Sequence, residues 1–309
     1  MRMRRQNGGI LAAKQTFTSA GAIGMFNLST QQQLKSNLSW PPVRSFTISP
    51  AVSGLSTWNL DTNGPLILST ASSWTIVPTI DTLINIKMWG GGGGGGGHDS
   101  GETNLFSGWG GAGSFIKGQI ILTGSTTYTL YVGGAGAAGA YVGGGAPAGG
   151  FNGGGNGSNG NSGASGQGGG GGGRTEIMQS STPIVCAGGG GGGNGHGNGQ
   201  GVDSGNGNGS SGLNSTADGQ YTVAIGDRGG YGGGGGGRLF GGSTAEAGGA
   251  RGQTYANLVL NSSVTLATDQ NAPATTETYY IAGVAIGGNR TNGGQGSGTA
   301  GGLGLMVLY

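Results

Sequence analysis

The sequence predicts an all-β protein: a β scaffold carrying packed polyglycine helices, preceded by an extended N-terminal arm with one short helix. Three observations predict it. Glycine makes up 82 of 309 residues and is concentrated in runs at Gly90–Gly97, Gly168–Gly173, Gly188–Gly193 and Gly232–Gly237, against an average usage of about 7%. Short apolar segments rich in β-branched and aromatic residues alternate with these runs. Charged residues make up 8% of the chain, too few for an ordinary disordered composition.

The strand candidates are Leu83–Trp89, Phe115–Leu122, Tyr128–Val132, Ile184–Cys186, Tyr221–Ile225, Tyr279–Ala282 and Leu305–Tyr309. The glycine runs need a different conformation. A helix costs about 1 kcal/mol per glycine relative to alanine, and glycine is a poor isolated strand former. The extended left-handed helix of three residues per turn remains, with a rise of about 3.1 Å and no internal hydrogen bonds. Its amides point outward, so such helices are stable only when several pack side by side, too close for any Cβ. Gly90–Gly97 would run about 25 Å at that rise. Collagen's Gly-X-Y period is absent, which excludes a triple helix.

At 33% apolar residues the hydrophobic core must be small, and backbone hydrogen bonding must carry more of the cohesion. Cys186 is the single cysteine, so an intrachain disulfide is excluded; within Ile184–Ala187 it reads as a small buried residue. No apolar run is long enough for a membrane span. Met1–Arg5 resembles the start of a signal peptide, but Gln6-Asn7-Gly8-Gly9 follows where an apolar stretch should stand, so none is expected.

Charge divides the chain. The first 60 residues hold Arg2, Arg4, Arg5, Lys14, Lys35 and Arg44 and no acid, whereas the remainder holds seven basic and eleven acidic residues, giving +6 and −4. A basic segment of this kind docks onto an acidic surface or is simply solvated. Nucleic-acid binding is not expected, because no basic patch is interleaved with aromatics. Residues 1–42 read as the arm, with Ser29-Thr30-Gln31-Gln32 as a capping box for a helix near Thr30–Ser36, stopped by Pro41-Pro42. Residues 43–89 read as irregular strands with turns, and 90–309 as the glycine-rich body; together 43–309 are taken as one domain.

Trp74-Thr75-Ile76-Val77-Pro78, then Leu83–Trp89, then polyglycine is an order that resembles bacterial and phage glycine-rich proteins. Later matching stretches are Gly111–Lys117, Leu130–Gly134, Val185–Ala187 before the third run, and Gly304–Tyr309. The body is also similar to the glycine-rich region of the anaplastic lymphoma kinase receptor family, and in packing principle to the adhesin tips of some phage long tail fibres. These resemblances imply a jelly-roll-like β-sandwich with packed polyglycine II helices. In the arm, Ala22–Gln33 and Asn37–Pro41 resemble a short module of phage virion proteins that precedes unrelated distal domains. That implies particle anchoring, for which Arg2, Arg4, Arg5, Phe26, Leu28 and Trp40 are the candidates, with other virion proteins as partners and a homo-oligomer, such as a trimer, as the assembly.

No enzyme is expected and no cofactor. Strings of the form G-x-G-x-x-G are abundant because glycine is, and no amphipathic helix follows any of them, as a dinucleotide site requires. No catalytic triad or carboxylate pair can be argued from spacing. His98, Asp99 and Asp203 could converge as a ligand pocket if the glycine helices end together, but they and His196 read more simply as loop tips, and no metal site is expected.

Function is expected on the polar loops Gly97–Trp109, Tyr141–Gln167, Asn194–Gln220 and Arg238–Tyr255, held on a rigid scaffold. Their aromatic residues Phe106, Trp109, Tyr141, Phe151, Phe240 and Tyr255 are the receptor-binding candidates, set among adaptable Asn, Ser and Gly. The ligand would be a host surface polysaccharide or protein. The expected role is a non-enzymatic structural protein of a tailed-phage virion, as a tail fibre or host-binding adhesin; the alternative is a capsid decoration or tail component without receptor binding. Substitution of Gly92 or Gly190 by Val is expected to destabilise the body, and equivalent substitutions at Gly157 or Gly207 in the polar stretches to be milder.

Overall fold

The computed structural model describes residues 43–98, 107–141, 145–160, 166–195, 249, 252–256, 259–267, 269–291 and 296–309. The arm with its expected helix, the Tyr221–Ile225 strand and the Gly232–Gly237 run lie outside the described residues. Those described are all-β, without a helix. Among them no helix is long and apolar enough to cross a membrane.

Among the described residues, eleven strands form two antiparallel sheets. In chain order they are β1 (Ser45–Val52), β2 (Leu55–Asn59), β3 (Leu66–Leu68), β4 (Ser72–Pro78), β5 (Thr82–Trp89), β6 (Phe115–Leu122), β7 (Tyr128–Val132), β8 (Thr175–Gln179), β9 (Thr182–Ala187), β10 (Leu260–Thr265) and β11 (Leu305–Leu308). One sheet has the order β2-β1-β4-β7-β8-β9 and the other β10-β6-β5-β11-β3. Period-two patterning aims one face of each inward. Ile76, Leu130 and Ile177 from the first sheet share one core with Ile84, Ile86, Met88, Ile116 and Met306 from the second. This is the arrangement of a β-sandwich.

The outer face of the second sheet is covered as well. Trp89, Phe115, Leu305 and Val307 pack beneath residues 272–285, with Trp89 donating from Nε1 to the Pro273 carbonyl at 3.0 Å. Within this cover, Tyr279–Ala282 is turn and irregular chain and not the strand expected, and Ala274, Tyr279 and Ala285 take positive φ. The apolar residues there serve to cap a sheet face, so they carry no ladder.

The strands run directly into the glycine segments. β5, β7 and β9 continue as Gly90, Gly133 and Gly188, while Ser114, Arg174 and Gly304 lead into β6, β8 and β11. Beyond the sandwich, hydrogen bonding follows a period of three. Gly91, Gly94 and Gly97 donate to Gly173, Gly170 and Gln167; Gly90, Gly93 and Gly96 donate to Ser114, Gly111 and Gly108; Gly92, Gly95 and His98 donate to Gly302, Thr299 and Gly296. These three neighbours are antiparallel to the central run. Three parallel segments fill the gaps between them. A Cβ on Gly90, Gly93 or Gly96 would strike 188–194, one on Gly91, Gly94 or Gly97 would strike 134–140, and one on Gly92 or Gly95 would strike Ile286 or Asn289. The six neighbours also bond one another in a closed ring around Gly90–Gly97.

Residues 148–151 and 155–158, with Gly249 and Gly252, add a partial outer layer. The expectation of a mild substitution at Gly157 is therefore overturned on packing grounds. A Cβ there would meet the Gly168 carbonyl as closely as one on Gly92 would meet that of Ile286. Part of the polar Tyr141–Gln167 stretch is bundle and not loop. Gly207 lies outside the described residues.

Candidate binding surface

Val43, the first described residue, and the far ends of the glycine segments are at opposite poles. β1 pairs with β4 so that Phe46 stands opposite Pro78, while the other end of β4, Ser72, stands opposite Val132, where the bundle begins. Val43, which follows the arm, is thus at the sandwich end away from the bundle. At the far end of the bundle the described chain stops and resumes around 98 and 107, 141 and 145, 160 and 166, 195 and 249, and 291 and 296. All of these residues terminate glycine segments, so the described segment ends are gathered at that pole.

The polar side chains there fasten segment ends. Ser107 donates from Oγ to the Gly96 carbonyl at 2.7 Å and accepts the Thr291 amide at 3.0 Å, joining three segments. Gln167 accepts the Ala140 amide at 3.1 Å and donates to the Gly145 carbonyl at 3.1 Å, linking two segment ends. His98 is fully buried and pairs with Gly296 through both backbone groups. It is part of the bundle and not a loop tip. Asp99, His196 and Asp203 lie outside the described residues.

The structure separates the aromatic candidates. Trp109, half-buried, opens the 108–114 segment near the far pole, and the Arg290 guanidinium lies over its ring, 4.4 Å from the centroid. Tyr141 ends the 134–140 segment at the same pole and is exposed. Phe151 and Tyr255 are elsewhere. Phe151 is exposed near the base of the bundle, its carbonyl accepting the Gly134 amide and its ring 6.4 Å from that of Tyr131. Tyr255 pairs its backbone with Cys186 at the edge of the sandwich. Phe106 and Phe240 lie outside the described residues, as do Arg2, Arg4, Arg5, Phe26, Leu28 and Trp40.

Three charged groupings escaped sequence reasoning, because their members meet only through the fold. Arg290 stacks on Trp109. Glu176, fully buried, accepts from Arg174 Nε at 2.9 Å and Asn152 Nδ2 at 3.0 Å, fastening the 148–153 segment to β8. Glu277 bridges Lys87 at 3.2 Å and Lys117 at 2.6 Å, and Lys87 also lies over the rings of Tyr279 and Tyr309. The hydrogen bond from Lys117 holds the Glu277 carboxyl below its ordinary range; Lys87 adds to this and burial opposes it. Burial raises the Tyr280 phenol above its ordinary value, partly offset by a backbone hydrogen bond. The one signal in the sequence for any of these was Lys87 itself, a cation amid the apolar residues of β5.

No protein-family model matches the chain, and no curated protein matches it.

Proposed function

We propose that this chain is a non-enzymatic structural protein of a tailed-phage virion, a tail fibre or host-binding adhesin that displays its glycine-rich body away from the particle. In this reading residues 1–42 anchor the chain to other virion proteins, and the far pole of the bundle meets the host surface. The observation that carries it is the polarity of the molecule. Val43, which follows the arm in the sequence, stands at one end, and the described segment ends, with Trp109, Arg290 and Tyr141, stand at the other. Function tends to sit on loops that a rigid scaffold holds.

The same reading takes the glycine segments as polyglycine II helices, about 25 Å long for the central run, mounted on a jelly-roll-like sandwich. The three-residue repeat of donors supports this, since each helix of that type offers one amide in three to each of three neighbours. A bundle joined throughout by backbone bonds is a stiff spacer that needs few side chains. The ligand we favour at the pole is a host surface polysaccharide, whose apolar ring faces stack on aromatic side chains.

Immunogold labelling of intact particles with antibody against residues 90–309 tests location. Label at the distal tail agrees with the adhesin reading, label over the head points to a decoration protein, and unlabelled particles overturn both. The variants Trp109→Ala and Tyr141→Ala then test the pole, by whether host adsorption is lost while the particle stays intact.

A further inference from the structure

One flank of the bundle is uncharged, partly apolar and incompletely paired. It is formed by the outward faces of 134–140, 296–304 and 281–289. No Asp, Glu, Lys or Arg occurs in 133–141, 279–289 or 296–304. Ile281, Ile286 and Leu303 are exposed. They are neighbours, because the Ala285 amide donates to Leu303, the Gly302 amide to Ile286 and the Val284 amide to Ile281. The amides of Ala135, Ala138, Ala300 and Leu303, three residues apart within each segment, have no acceptor among the described residues. Apart from Leu303, the side chains on those positions are single methyl groups, so another chain can approach closely.

We propose that this flank is a self-association surface on which a second copy of the chain seats. Contiguous exposed aliphatic side chains mark an interaction surface. The lack of charge selects the occupant: a strongly charged partner finds nothing complementary here, whereas two copies of a neutral face meet without like-charge repulsion. The unpaired amides narrow the choice further. A partner that satisfies them must present carbonyls at the same three-residue repeat on small residues, as Ala135, Ala138 and Ala300 of a second copy do, while Ile281, Ile286 and Leu303 supply the apolar contact beside them. The interface continues the bonding already seen inside the bundle, where both parallel and antiparallel neighbours are accommodated. This inference is independent of where the protein resides.

Sedimentation velocity on the full chain over a wide dilution series tests it. The expected result is a reversible oligomer for the wild type and a monomer for Ile286→Lys/Leu303→Lys, with equal melting temperatures at dilutions where both are monomeric, because both side chains already face outward. Hydrogen exchange gives the second readout: the Ala300 and Leu303 amides should be protected at high concentration and exchange rapidly on dilution. Val264→Lys, on the exposed edge strand β10, is the control and should leave assembly intact. A wild type that is monomeric throughout overturns the proposal. So does an oligomer that survives the double substitution, or one that Val264→Lys dissociates. If the double variant fails to fold, Ala300→Lys and the wild-type exchange pattern decide in its place.

Discussion

The hydroxyl of Thr175 donates to the carbonyl oxygen of Trp89 at 2.7 Å and accepts the amide of Gly133 at 3.0 Å. One fully buried side chain on β8 thus ties both sheets together at the level where side chains end and the glycine bundle begins. Thr175→Val keeps the shape, orphans the buried Gly133 amide and removes one donor from the Trp89 carbonyl, which the ladder also sets opposite Leu305. The expected cost is about 1–3 kcal/mol per unsatisfied group, read as a lower denaturation midpoint. An unchanged midpoint would show that the sandwich and the bundle do not depend on this junction.

Glycine substitutions test the bundle. Gly92→Val, Gly190→Val and Gly157→Val each set a side chain against backbone carbonyls of Ile286, Gly111 and Gly168, which cannot swing aside. All three should cost about 3 kcal/mol or more, beyond the usual range for an overpacked site. Gly145→Ala meets open space and should stay within about 0.5 kcal/mol of wild type. Equal melting temperatures across the four variants would contradict the packing described.

Acid should loosen the cover over the second sheet. The folded-state pKa of Glu277 is depressed, chiefly by its hydrogen bond from Lys117. Its contribution is therefore complete above the unfolded value of about 4.3, and it is lost as pH falls through the folded value. The stability difference between wild type and Glu277→Gln should be largest near neutrality and shrink towards zero at low pH. A difference independent of pH would mean that the carboxylate charge contributes nothing.

Tyr280 gives the complementary test in base. Its phenol donates to the Val284 carbonyl at 3.0 Å, and burial raises its folded-state pKa. That contribution is present below the unfolded value of about 10 and declines as pH rises through the folded value. Spectrophotometric titration should find a tyrosine ionising late, and Tyr280→Phe should remove it. If the variant titrates as the wild type does, the late group is another tyrosine.

The aromatic candidates should divide by position. Under the proposed function, Trp109→Ala and Tyr141→Ala impair host adsorption at least tenfold, equivalent to about 1.4 kcal/mol of binding. Phe151→Ala and Tyr255→Ala, away from the far pole, leave adsorption intact. Adsorption assays on particles carrying each variant check this. Equal loss in all four would point to a fold defect in place of a binding site.

Much of the fold was legible in the sequence. β5, β6, β7, β9 and β11 fall on the apolar segments that the sequence marks as strands, because period-two patterning is a local property. β8 and β10 were not marked. Thr175–Gln179 mixes Thr, Glu and Gln with its apolar residues, and Leu260–Thr265 is exposed at every position. A finer signal was present at the rim of the bundle. Ser297, Ala300 and Leu303 face outward at intervals of three, while Gly298, Gly301 and Gly304 between them face backbone or a buried side chain. The spacing of the non-glycine residues thus records which side of each segment is open. In the all-glycine runs that record is silent, because the central run, Gly90–Gly97, is enclosed on every side.

The site was less legible. Trp109 and Tyr141 share a pole and Phe151 and Tyr255 do not, a division that depends on which segments run up the bundle and which run down. Arg290 meets Trp109, and Glu277 meets Lys87, across most of the chain's length.

The sequence by itself determined what the segments could be: strands where apolar residues alternate, and closely packed backbone where no Cβ intervenes. That much is set by the volume and periodicity of neighbouring side chains. Only the tertiary structure decided which segment lies beside which, and therefore which pole gathers the segment ends and which holds Val43. Its bonds join residues as distant as Gly92 and Gly302, and every glycine amide is chemically the same, so nothing local to either residue could name its partner.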